Sequence, residues 1–166
     1  MKKQSIQELF SGAYLHQNLS IQGWVRTFRA NRFIALNDGT TLNNLQCVVD
    51  FEQTDENLLK RITTGAAVHI EGTLVESLGK EQKYELQVSH LEVIGDSDPD
   101  QYPIQPKKHS FEFLRDNAHL RIRTSTFLAV MRVRSALSFA VHDYFRKEGF
   151  YYCLLYTSDA ADEGHC

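Results

Sequence analysis

The sequence is short of cysteine, proline and tryptophan, and each shortage excludes something. Its 166 residues hold three cysteines, three prolines and one tryptophan. Cys47, Cys153 and Cys166 form no C-x-x-C pair, and no His/Cys cluster has zinc-ligand spacing, so neither a disulfide framework nor a zinc site is expected. The seven histidines are scattered. The glycine-rich phosphate loop, the dinucleotide fingerprint, H-E-x-x-H and G-x-S-x-G are all missing. No catalytic residue and no metal ligand is assigned. No apolar run approaches the roughly 18 residues of a membrane span. The opening MKKQSIQELF turns polar too soon for a signal-peptide core, which argues for the cytoplasm. Asn18-Leu19-Ser20 fits a glycosylation pattern that matters only on a secretory route. A net charge of −3 excludes a protein that coats nucleic acid by bulk charge, so any such binding must be local.

What is present is a change of period along the chain. Ser5-Ile6-Gln7-Glu8 reads as a capping box starting a short helix. From about residue 18 to 95 the apolar positions recur every two residues, predicting strands near 18–29, 32–37, 44–51, 66–77 and 82–94. Asn37-Asp38-Gly39 supplies a turn, and Gly79 marks the last hairpin. Residues 55–62 look helical between strands three and four. Five short strands with a helix in that place are the order of an OB-fold barrel. Gly23 and Gly72 fit bulges or sharp coiling. All three prolines lie in the acidic segment 96–108, which reads as a linker. A helix over roughly 125–148 follows, with Val130, Val133, Leu137, Val141 and Tyr144 as its apolar stripe and Gly149 as its stop. Such a stripe is ordinarily core.

Strand alternation sorts the barrel residues. Ile34, Leu36, Leu45, Cys47, Val49, Tyr84, Leu86 and Val88 point inward, leaving Phe33, Gln46, Glu85 and Gln87 outside. On the first strand Gln22, Trp24, Arg26 and Phe28 share a side, and Arg29 has the opposite parity. The stretch 23–33 holds Arg26, Arg29 and Arg32 with no acid. Aromatic faces stack on splayed bases, amides and carboxylates read pairing edges, and arginines neutralise phosphates. The same pattern is also that of a plain solvated surface, and OB folds bind sugars and proteins as well.

The stretch GWVRTFR (23–29), the junction YPIQPKKHSFEFLRDNAHLRIRT (102–124) and the helix ending FRKEGF (145–150) resemble the N-terminal part of the class IIb aminoacyl-tRNA synthetases, on their asparaginyl branch. The resemblance covers residues 5–152. The junction is its specific part, since the barrel opening also suits the aspartate and lysine enzymes. The resemblance implies a mainly β fold: a five-stranded OB-fold barrel with short helices, a linker, and the long motif 1 helix of a truncated class II α+β catalytic domain. It implies an anticodon-binding domain over 1–98, a hinge over 99–118 and the start of the catalytic domain over 119–152. It further implies an asparagine–tRNA ligase using ATP and Mg²⁺, with tRNA-Asn as partner. Phe33 would stack on the middle anticodon base. Arg26, Arg29, Gln46 and Glu85 would contact it or its neighbours, with a bulge or twist needed to bring Arg26 and Arg29 to one site. The helix 125–148 would form the homodimer interface, with no membrane involved.

The sequence departs from that pattern after Phe150. No motif 1 proline follows, and motifs 2 and 3 are missing, so the chain itself is expected to be inactive and to bind neither ATP nor Mg²⁺. Residues 153–166 resemble a translated transposase adapter and are set aside from fold reasoning. Two other readings stay open: a stand-alone tRNA or single-strand binding module, and a fragment of an aspartyl-tRNA synthetase.

Overall fold

The structure is a computed structural model that describes residues 4–50, 52, 54–77, 79 and 82–152. The tail assigned to residues 153–166 lies outside the described residues. The chain divides into two compact units, one to Leu128 and one from Ala129 onward.

In the first unit five strands close into a barrel: β1 (Asn18–Arg29), β2 (Phe33–Asn37), β3 (Leu45–Val48), β4 (Ala67–Glu76) and β5 (Tyr84–Gly95). Their order around the barrel is β1-β2-β3-β5-β4, and only β3 and β5 run parallel. Closure leaves no long unpaired edge to attract another strand. Every second side chain turns inward, so Ile21, Ile34, Leu36, Leu45, Cys47, Ile70, Leu74 and Leu86 are sealed in one core. Each such aliphatic side chain stabilises the fold by about 1.5–3 kcal/mol. Burial raises the Cys47 thiol far above its ordinary value, which makes it a small hydrophobe rather than a nucleophile.

The short helices plug and brace this barrel. Helix α1 (Ile6–Leu9) carries the expected capping box, with Glu8 N–H donating to Ser5 Oγ and Ser5 N–H donating to the Glu8 carboxylate. Its Ile6 and Leu9 are fully buried. Helix α2 (Glu56–Arg61) links β3 to β4, capped by Asp55. At the end of β2, Asn37 is buried and organises the loop that follows: its Nδ2 donates to the carbonyls of Thr41 and Asn43 and to Asn44 Oδ1. Gly39, at φ +84°, donates back to Asn37 Oδ1.

Two irregularities change which way residues face. Between Val25 and Thr27 the β1–β2 register shifts, leaving Arg26 as the extra residue of a bulge. Phe28, expected beside Trp24 and Arg26, instead packs against the core, because the bulge reverses parity beyond it. A second shift, between Glu71 and Gly72, moves the buried set on β5 from Leu86 to Leu91 and Val93. A Cβ at Gly72 would run into the Gln87 carbonyl, so only glycine permits this approach.

The stretch read as a hinge over 99–118 holds a helix, α3 (Phe111–Asp116), capped by Ser110 and burying Leu114. Ile104 is buried too, and Gly65 lies against the Tyr102 ring. Tyr102 and Ile104 both belong to the first compact unit. A single 3-10 turn, Arg121–Arg123, precedes helix α4 (Ser125–Lys147). Along α4 the second unit shows Val130, Val133, Leu137, Val141 and Tyr144 all exposed. Among the described residues no helix is long and apolar enough to cross a membrane.

Candidate nucleic-acid interface

The outward face of β1, β2, β3 and β5 is fixed by pairing register. Arg29 pairs with Phe33, Ala35 with Gln46, and Gln46 with Glu85. Four of the five residues expected to contact RNA therefore share one surface. The turn that joins β1 to β2 helps to place them. Arg32 N–H donates to the Arg29 carbonyl, and Ala30 and Asn31 both take positive φ. The loop is three residues long, 30–32, and this bond closes it tightly. It sets Arg29 and Phe33 directly opposite each other.

Phe33 is half-buried, with the Arg32 guanidinium 5.6 Å from its ring centroid. That cation holds the ring by a cation–π contact and adds positive charge beside it. Gln46 Nε2 donates to Glu85 Oε2 at 3.2 Å, and the Ser77 hydroxyl donates to the same oxygen at 3.1 Å. The Gln46 backbone N–H donates to Gln82 Oε1. Glu85 is thus oriented through one oxygen, with its other oxygen and the Gln46 carbonyl available as acceptors. Such a pair suits a base edge that offers N–H donors. A cleft of about 690 Å³ borders this face, lined by Thr27, Arg29, Ala35, Gln82 and Tyr84 among others.

Ser77 and Gln82 were not singled out from the sequence. They flank the β4–β5 hairpin, and only the pairing of Val75 with Glu85 reveals that Ser77 lies near the carboxylate. Arg26 is placed elsewhere. The bulge turns it into a second cleft with Trp24, Tyr102 and Arg123.

A closed five-stranded barrel with parallel β3–β5 closure defines an OB-fold. Residues 19–94 match the family model of the OB-fold nucleic acid binding domain. Beyond the barrel, the chain is homologous to the asparagine–tRNA ligases and corresponds to a partial, N-terminal segment of them. It is 50% identical over 153 residues to the asparagine–tRNA ligase of Borreliella afzelii, covering 89% of this chain and 33% of that protein. It is 47% identical to that of Cytophaga hutchinsonii, covering 99% of this chain and 37% of the relative. In three dimensions it is similar to the asparaginyl-tRNA synthetase of Pyrococcus horikoshii complexed with asparaginyl-adenylate. The TM-score is 0.78 at 26% identity, over 93% of this chain and 36% of that one. The chain spans about one third of the length of these relatives.

Proposed function

We propose that this chain is the anticodon-reading part of an asparagine–tRNA ligase, a cytoplasmic enzyme of protein synthesis that joins asparagine to tRNA-Asn. One observation carries the reading: Arg29, Phe33, Gln46 and Glu85 converge on one barrel face in a segment homologous to those ligases. On this reading Phe33 stacks on the middle anticodon base, worth about 1–3 kcal/mol. Gln46 and Glu85 read pairing edges, and Arg29 neutralises a neighbouring phosphate. Helix α4, with its exposed apolar stripe, is the surface through which the whole enzyme dimerises.

The ligase reaction, with ATP and Mg²⁺, belongs to the whole enzyme. Among the described residues no group of three His, Cys, Asp or Glu side chains could hold a metal ion. The chain alone is expected to give no asparagine-dependent ATP–pyrophosphate exchange.

The test is binding of the chain to an asparagine-type anticodon stem-loop, beside a loop with an altered middle base. Preference for the first loop, reduced about tenfold or more by Phe33→Ala, is the expected result. Equal binding to both loops, erased by salt, would leave only phosphate attraction and overturn the reading.

A further inference from the structure

Arg26 and Arg123 line one cleft, and neither is ion-paired among the described residues. Both guanidiniums border a cleft of about 710 Å³, together with Trp24, Tyr102, Asn37 and Asp38. Asp38 is the acid of this cleft, and its oxygens are already occupied. Oδ2 accepts from Ile6 N–H, and Oδ1 accepts from the backbone and hydroxyl of Thr40. Among the described residues neither arginine has a carboxylate partner. The guanidinium carbon of Arg123 stands over the indole of Trp24, 3.4 Å from the ring centroid. Burial draws both guanidiniums below the ordinary arginine value. The Tyr102 phenol acts the other way on both, and Arg26 further lowers Arg123. Two half-buried like charges that repel each other are an arrangement an anion would relieve.

We propose that this cleft is a phosphate site that takes a backbone phosphodiester of the same RNA whose bases are read on the Phe33 face. This rests on the anticodon reading proposed above. Guanidinium forks match phosphate oxygens bidentately, and among the described residues no carboxylate occupies either fork. Arg123 covers one face of Trp24, so the cleft recognises charge rather than a stacked base. RNA is favoured over an acidic protein because one strand serves both surfaces. Arg26 precedes Arg29 on β1 by three residues, about 10 Å of strand. The bulge at Arg26 is what turns the two arginines to different sites.

Trp24 is the sole tryptophan of the chain and reports on Arg123 directly. Inorganic phosphate titrated into the full chain should change its fluorescence saturably. Arg26→Gln and Arg123→Gln should abolish that change, and Arg123→Lys should keep part of it. Each glutamine variant should also weaken both stem-loops equally, by about tenfold at low salt, and lower the salt slope by about 1. Loop preference should be untouched, whereas Phe33→Ala alters preference. Slopes unchanged in both variants would overturn the RNA assignment even if free phosphate binds. No phosphate signal together with unchanged slopes would overturn the site altogether. Loss of loop preference in the parent chain, with slopes still falling in the arginine variants, would sink the anticodon reading and leave the phosphate site standing.

Discussion

The barrel and helix α4 are both rich in apolar side chains and dispose of them in opposite ways. Ile34, Leu36 and Leu86 are wholly inaccessible, whereas Val133, Leu137 and Val141 are 58%, 61% and 55% exposed. A closed sheet needs only a period of two to bury one face of every strand against the others. A single helix concentrates its apolar residues on a stripe that another surface must cover. The barrel therefore has within itself what a binding domain requires. The stripe on α4 is left for another surface to cover, and the proposed function gives that role to a second copy.

The same leucine-to-alanine substitution should have very different effects in the two places. Leu86→Ala should destabilise the chain by about 2–5 kcal/mol, through lost transfer energy and a cavity. Leu137→Ala should stay within about 0.5 kcal/mol, because an exposed side chain leaves no hole. Urea unfolding of both variants measures the difference. Equal losses would mean that Leu137 is covered in solution, and a loss that grows with protein concentration would identify a second copy as the cover.

Gly72→Ala tests the barrel's other requirement, close backbone approach. The added methyl meets the carbonyl of Gln87 rather than a movable side chain, so β5 must shift. A cost of about 1–3 kcal/mol is expected in the same unfolding experiment. The shift would propagate along β5 toward Glu85, so RNA affinity should fall as well.

How much of this was legible in the sequence follows from where the period holds. All five strands were legible, and so were the inward set on β2 and β3 and the outward placement of Phe33, Gln46 and Glu85, because alternation there is unbroken. Parity was lost at Arg26. Val25-Arg26-Thr27-Phe28 alternates equally well with or without an extra residue, and only pairing with β2 reveals the bulge. Helix α3 was hidden because the prolines just before it advertise a linker, which masks so short a helix. The partnership of Arg123 with Trp24 joins residues 99 positions apart, which no local pattern encodes.

The β1–β2 turn offers a smaller effect of the opposite sign. Ala30 sits at φ +52°, where a Cβ costs roughly 1–2 kcal/mol and glycine avoids the clash. Glycine loses part of that gain to its freer unfolded chain, so Ala30→Gly should stabilise by about 0.5–1 kcal/mol. Register is unchanged, so Arg29 still faces Phe33 and stem-loop preference should persist. A destabilised variant would show that the hairpin takes a different turn.

The smallest effect expected is electrostatic, on the barrel surface. Arg61 Nε and Nη2 donate to the two Asp96 oxygens at 2.7 and 2.9 Å, joining the end of α2 to the segment after β5. The hydrogen bond from Arg61 is the main cause that holds the Asp96 carboxyl below its ordinary value; slight desolvation opposes it, and Coulombic attraction reinforces it. A carboxylate lowered in the folded state binds its proton more readily when unfolded. Its contribution to stability is therefore fully present above the unfolded value, near pH 4, and is lost as pH falls through the folded value. Both partners are largely solvent-exposed, which screens the pair and keeps the contribution small. Asp96→Asn should lower the urea midpoint slightly at pH 7 in low salt, less so at high salt. As pH falls through the folded value the variant and the parent should converge, since the parent's carboxylate is then protonated as well. A gap that persists undiminished in acid would mean that the side-chain amide disturbs the bidentate geometry itself, and that charge is not what Asp96 contributes.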